Sequence, residues 1–188
     1  MKTEAKDINE NKKMQEEQEW FALKASRKEA KAAEVLEAAG LRVYAPQVEA
    51  DMTYRGKKKI VARPLIPNTL FAYTSFHVLN VIKQDYPFIT YCYKKVEGKF
   101  KILKIPAREM ERFIDSSTKM KDDIAYFQPN EIELKKGDRV RIVGGVFDGY
   151  EGTLLKAKGR AKRMFVINFE LLGSLGTHIE PEYIQLLK

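Results

Sequence analysis

The sequence predicts an α+β protein: an N-terminal antiparallel sheet with flanking helices, followed by a small all-β unit. Three observations carry this. Up to about residue 115, apolar runs of strand length alternate with stretches of helical spacing. Residues 116–133 then lose periodicity, with Ser116-Ser117-Thr118, Asp122-Asp123 and Pro129-Asn130. From residue 134 onward, apolar residues alternate between glycine-rich turns, with no helical pattern.

Residues 1–19 hold four lysines and six acids and almost no large apolar group. Such a segment cannot bury enough surface to offset its ordering entropy, so a disordered tail is expected. Trp20-Phe21-Ala22-Leu23 reads as a buried strand. Ser26, three residues before Glu29, has capping-box spacing, and Ala32, Val35, Leu36 and Ala39 follow at helical intervals. Gly40 closes that helix in the left-handed position. A second strand over 41–45 stops at Pro46. Residues 47–63 read as a long hairpin or loop with its tip at Arg55-Gly56-Lys57-Lys58-Lys59. Leu70-Phe71-Ala72-Tyr73 is a buried strand, and 77–84 a short helix carrying Val78, Leu79, Val81 and Ile82. Two strands, 88–93 and 101–105, are joined by a turn at Glu97-Gly98. Pro106 opens a last helix with Met110, Phe113 and Ile114 inward. Hairpins mixed with helices imply a largely antiparallel sheet with helices on one side.

In the C-terminal part, Val140 and Ile142, Gly152 and Leu154, Phe165, Ile167 and Phe169, His178 and Ile179, and Ile184 and Leu186 mark five short strands. They imply a small barrel near the lower size limit for an independent core. The expected organisation is a tail at 1–19, a domain at 20–115, a linker at 116–133 and a domain at 134–188.

The chain has 34 Lys plus Arg against 26 Asp plus Glu, a net charge of +8. That excess points to a polyanionic partner, nucleic acid first. Arg55, Lys57, Lys58, Lys59 and Arg63 put five positive charges in nine residues with no acid between them. They are either a phosphate-backbone contact or a solvated loop. Cys92 is the single cysteine, so no intrachain disulfide forms; it sits in an apolar run as a small buried hydrophobe, and a reducing cytoplasm fits it. The N-terminus lacks the apolar core of a signal peptide, and no run of apolar residues is long enough to cross a membrane.

The four glycines at 144–152 raise the question of a phosphate loop. No lysine followed by Ser or Thr completes a Walker pattern, and the spacing Gly145, Gly149, Gly152 leads into a strand rather than a helix. The glycines instead suit positive φ and close backbone approach at a barrel corner. His77 and His178 are the only histidines, and no zinc spacing or nucleophile elbow occurs. No enzyme, cofactor or metal site is expected.

Lys136-Gly137-Asp138 followed by Val140, Ile142, Gly145, Gly149, Gly152 and Leu154 resembles a KOW motif. Trp20-Phe21-Ala22-Leu23-Lys24-Ala25, the helix after it, Tyr44-Ala45-Pro46, and Arg63-Pro64-Leu65-Ile66-Pro67-Asn68-Thr69-Leu70-Phe71-Ala72-Tyr73 resemble the NusG N-terminal domain. The two halves stand in NusG order over about residues 20–188. Ile66-Pro67-Asn68-Thr69-Leu70-Phe71-Ala72-Tyr73 is similar to the signature of specialised paralogues of the UpxY type, antiterminators of polysaccharide operons. Asn68 and Thr69 stand where the general factor has Gly and Tyr.

The resemblance implies an RNP-like N-terminal fold and an SH3-like KOW barrel. It implies a monomeric transcription elongation or antitermination factor that docks on the clamp helices of RNA polymerase near upstream or non-template DNA. Ile66, Pro67, Asn68, Thr69, Leu70 and Phe71 would form the polymerase surface, although strand residues such as Leu70 and Phe71 are ordinarily core. The barrel would recruit a ribosomal protein or Rho through Phe147, Leu171, Leu172 and Gly173, unless the two leucines are the buried edge of a small core. The alternative is a ribosome-associated RNA-binding protein with the same KOW barrel, but ribosomal KOW proteins lack the N-terminal pattern.

Overall fold

The computed structural model describes residues 17–120, 123–129, 131–156 and 162–187. The expected tail up to residue 16, Asp122 and Asn130 therefore lie outside the described residues. In chain order the elements are β1 (Gln18–Lys24), α1 (Glu29–Ala38), β2 (Arg42–Tyr44), β3 (Gln47–Tyr54), β4 (Lys57–Pro64), β5 (Thr69–Ser75), α2 (Phe76–Asp85), β6 (Thr90–Tyr91), β7 (Tyr93–Val96), β8 (Lys99–Ile102), β9 (Lys104–Ile105) and α3 (Ala107–Lys119). There follow β10 (Ala125–Phe127), β11 (Asp138–Ile142), β12 (Glu151–Leu155), β13 (Met164–Phe169), β14 (Gly173–Thr177) and β15 (Ile184–Leu186). The fold is thus α+β, as its periodicities predict. Contacts divide it into two compact units: the chain up to Gln47 with Ile66–Met110, and Val48–Leu65 with Glu111 onward. No described helix is long and apolar enough to cross a membrane.

In the first unit β1 is central. It pairs antiparallel with β5 along its whole length and with β6 and β9 on its other side, while β2 extends the sheet beyond β5. Direct partners share a face, so Phe21 with Ala72 and Leu23 with Leu70 face the helices. There they join Ala32 and Leu36 of α1, Leu79 of α2, Ile89 and Tyr91 in one buried cluster. Each of the larger side chains contributes about 1.5–3 kcal/mol on burial. Trp20 with Tyr73 and Ala22 with Phe71 occupy the opposite face, and the Arg42 guanidinium lies 5.1 Å from the Trp20 ring centre. Cys92 is buried, as its apolar neighbours predict.

Local chemistry explains most element ends. Helix α1 closes with a Schellman motif: Leu41 N–H donates to the Leu36 carbonyl (3.1 Å) and Gly40 N–H to Glu37 (2.8 Å), with Gly40 at φ 78. Ser75 caps α2 by accepting from Val78 N–H at 3.3 Å. Two expectations need correction. The capping box between Ser26 and Glu29 is absent; α1 starts after Lys28 without a side-chain cap, because the Glu29 carboxylate is engaged elsewhere. Strand β1 begins at Gln18, inside the expected tail, because Gln18 and Glu19 pair with Ser75 and Thr74. The short helix expected at 77–84 is present as α2, in which Leu79 is fully buried while Val78 and Val81 are exposed.

The second unit holds the β3–β4 hairpin and a six-stranded sheet in the order β10-β14-β13-β12-β11-β15. Strand β13 is buried on both faces. Met164 and Val166 pack with Ala125, Phe127 and Leu155, while Phe165 and Phe169 turn to Phe147 and Phe113. The stretch without periodicity is more structured than its composition suggests: α3 runs to Lys119, and Ala125-Tyr126-Phe127 form β10 against β14. The strand expected around His178 and Ile179 ends instead at Thr177, because Asp123 takes the His178 backbone N–H at 3.0 Å and its Nδ1 at 2.5 Å. Gly152 fits the close-approach reading: a Cβ there would stand 2.5 Å from the Phe165 ring and the Val166 carbonyl oxygen.

Candidate functional site

The segment joining β4 to β5 is built on a tight turn. Thr69 N–H donates to the Ile66 carbonyl at 3.2 Å, with Pro67 and Asn68 between them. Proline holds φ near −65°, and Asn68 stands at φ 59, the pair of signs that defines a type II turn. Asparagine tolerates the left-handed conformation better than most side chains, which explains how it occupies a position that suits glycine. Asn68 also ties the turn to the loop between β1 and α1. Its carbonyl accepts from Ala25 N–H (3.0 Å), its Oδ1 from Arg27 N–H (3.1 Å), and its own N–H donates to Glu29 Oε1 (2.7 Å).

This turn separates the six candidate residues. Pro67 is exposed and Asn68 and Thr69 half-buried; Ile66 is 8% exposed. Leu70 lies in the helix-facing core and Phe71 is buried on the other face of the sheet. What the surface presents is therefore the turn itself, with Leu70 beneath it.

The β3–β4 hairpin turns at Arg55 and Gly56, at φ 49 and 76, the two positive values of a type I′ turn. Arg55, Lys57, Lys58, Lys59 and Arg63 are all exposed. Strand alternation places Lys57, Lys59 and Arg63 on one face of β4 and Lys58 on the other, beside the exposed Ile60. The five charges that cluster in sequence thus divide between the tip and two faces.

In the β-rich unit Phe147 is 6% exposed, edge-on to Tyr150 and tilted against Phe165. Leu172 is 4% exposed and Leu171 half-buried, both in the turn between β13 and β14. Gly173, at φ 84, could not carry a Cβ: one would meet the Phe127 carbonyl oxygen at 2.3 Å. A cleft of about 290 Å³ opens beside Phe147, lined among others by Ile142, Val146, Ile179 and Tyr183. On the rim of the same unit Glu151 accepts from Arg141 Nη2 at 2.5 Å, and that hydrogen bond, with the charges of Arg141 and Arg139, holds its carboxyl below the usual range.

The matched family decides what kind of protein carries these surfaces. The family model described as transcription termination factor nusG matches residues 18–114, 97 of the 188. The chain belongs to the NusG family. Among solved structures, this NusG-family chain is similar to Thermotoga maritima NusG, in a structure of its domain interaction, at 17% identity over 92% of this chain and 98% of that one, with a TM-score of 0.48. It is also similar to the MjSpt4:Spt5 complex in conformation B, at 13% identity over 90% of this chain and 97% of that one, with a TM-score of 0.27. Neither likeness is close enough to carry an inference; family membership rests on the matched residues. The NusG family is one of non-enzymatic transcription factors.

Two features of this NusG-family chain escape a reading of the sequence. One is the exposed apolar rim beside Phe147, formed by Val146 and Tyr183. Its only sequence signal is a valine in a glycine turn, which strand alternation does not cover. The other is the non-local set of hydrogen bonds around Asn68, which no pattern of spacing announces.

Proposed function

We propose that this NusG-family transcription factor is an antiterminator of the UpxY type. In this reading residues 20–115 form the domain that docks on the clamp helices of RNA polymerase near the upstream fork, and residues 134–188 form a KOW domain that recruits a further protein. The observation that carries it is the Ile66–Thr69 turn. It lies inside the family match, displays Pro67 and Thr69, and is held rigid from behind by Asn68. A preorganised apolar turn suits docking, because little further ordering is lost on binding.

The remaining residues divide by exposure. Pro67 and Thr69 meet the polymerase, while the buried Ile66, Leu70 and Phe71, with Asn68, hold the surface in shape. Lys57, Lys59 and Arg63, with Arg55 at the tip, approach upstream or non-template DNA, adding affinity without sequence preference. Leu171 and the exposed Val146 form the accessible part of the KOW surface, Phe147 is buried beneath Val146, and Leu172 and Gly173 shape the turn that carries Leu171. A ribosomal protein or Rho is the expected partner there, and the factor acts as a cytoplasmic monomer.

The test is recovery of RNA polymerase on the immobilised chain, followed by transcription in vitro on templates with and without the upstream leader of a polysaccharide operon. Polymerase capture with readthrough of a terminator is the expected result. Recovery of ribosomal subunits without polymerase at moderate salt overturns the reading.

A further inference from the structure

Strands β7 and β8 form a two-stranded ribbon separate from the main sheet of the first unit. Its turn is Glu97-Gly98, at φ 50 and 81, again the type I′ form that matches strand twist. From Lys94 to Lys101 the ribbon carries four lysines, Lys94, Lys95, Lys99 and Lys101, against the single acid Glu97. Among the described residues none of the four has an ion-pair partner.

The register makes this arrangement costly to the fold. Lys94 stands directly opposite Lys101, and like charges in that position are destabilising. Tyr93 opposite Ile102 and Lys95 opposite Phe100 form the other face. On it Phe100 is 75% exposed, the most exposed large apolar side chain among the described residues, and Tyr93 is 56% exposed. Neither the repulsion nor the bare rings help the unit fold.

We propose that this ribbon is a platform for single-stranded nucleic acid, with bases stacked on Phe100 and Tyr93 and the phosphate chain drawn by the four lysines. Bare aromatic faces suit unpaired bases, whose own faces are free; in a duplex those faces are already stacked. Charge complementarity supplies the rest. The ribbon is one strand pair wide, about 5 Å between strands, so lysines on both of its faces lie within about a Debye length of a strand bound to the aromatic face. A phosphate chain also relieves the repulsion between Lys94 and Lys101. This contact is distinct from the β4 lysines and does not depend on polymerase docking.

The test is fluorescence anisotropy of labelled oligo-dT, and of a duplex of the same length, with the full chain over a range of salt. Phe100→Ala weakens oligo-dT binding about ten-fold and duplex binding less than about two-fold. Phe100→Leu, which keeps apolar bulk but loses the ring, gives a loss close to that of Phe100→Ala. Replacing Lys94, Lys95, Lys99 and Lys101 together by Gln lowers the salt slope for oligo-dT by about 2–3, at about 0.7 per phosphate contact, without lowering the melting temperature. The proposal is overturned if Phe100→Leu binds oligo-dT as well as the wild type, if oligo-dT and duplex lose equally, or if the four-lysine variant keeps the wild-type slope. Displacement of oligo-dT by poly-glutamate at equal charge concentration also overturns it, marking the ribbon as a dock for acidic protein.

Discussion

The Oδ1 of Asn68 accepts a hydrogen bond from the Arg27 N–H at 3.1 Å, and both residues stand in the left-handed region, at φ 59 and 58. The conformation costs Arg27 about 1–2 kcal/mol and asparagine less, and each loop holds the other in place. Asn68→Gly should keep the turn and lose only the side-chain bond, lowering stability by about 0.5–1.5 kcal/mol. Asn68→Ala loses the bond and the local tolerance of positive φ together, so a larger loss of about 2–3 kcal/mol is expected. Urea denaturation of the two variants checks the order. Equal losses would mean that backbone strain at Asn68 is not part of the balance.

The lysines of the β3–β4 hairpin make a second test. Lys57 and Lys59 share a face of β4 and Lys58 projects from the other, so the three should not act alike if one face meets DNA. The double variant Lys57→Ala with Lys59→Ala should lower the salt slope of duplex binding by nearly 2, at about 0.9 per phosphate contact, whereas Lys58→Ala should change it by less than about 0.5. Salt titrations of the single and double variants decide this. Equal effects per lysine would describe a freely solvated tip rather than an oriented contact.

Leu171 and Leu172 read alike in the sequence and differ in the fold. Leu172 is 4% exposed, so Leu172→Asp places a carboxylate in the core and should cost several kcal/mol, broadening or abolishing cooperative melting. Leu171 is half-buried, and Leu171→Asp should leave the fold within about 1 kcal/mol of wild type while weakening capture of the KOW partner. Thermal melts and partner pulldown separate the two. A Leu172→Asp protein that melts normally would show the turn to be loosely packed.

These cases show which features a single sequence discloses. The strand at Trp20-Phe21-Ala22-Leu23, the Gly40 helix stop and the hairpin tips at Arg55-Gly56 and Glu97-Gly98 were legible because each depends on neighbours in the chain. The failures are non-local. Glu29 has the spacing to cap its own helix, but the Asn68 N–H, 39 residues away, takes its carboxylate. Ala125-Tyr126-Phe127 is too short to show a period and becomes a strand only by pairing with β14. In the candidate surfaces, charge was visible and facing was not: residue types say nothing of whether a ribbon's face is covered, so the exposure of Tyr93 and Phe100 had no signal. The same holds for Leu70 and Leu172, whose burial depends on which elements cover them.

Cys92 gives a final test, of pH dependence. Burial pushes its thiol above the ordinary value, and the nearby Lys24 charge offsets only part of that. An acid whose folded pKa is raised contributes fully below its unfolded pKa. Its contribution is lost as pH rises above the unfolded value toward the folded one, because the unfolded chain releases the proton first. Stability should therefore decline above about pH 8.5, the ordinary thiol value, with a component that Cys92→Ala removes. Other groups titrate in that range, so the difference between the two proteins is the measurement, taken from urea midpoints between about pH 7 and 10. The same burial predicts slow alkylation by iodoacetamide at pH 8 in buffer and rapid alkylation in urea. Because Cys92 is the single cysteine, every labelled product reports on it. Rapid labelling of the native chain would mean that the sheet opens locally around β6, next to the ribbon.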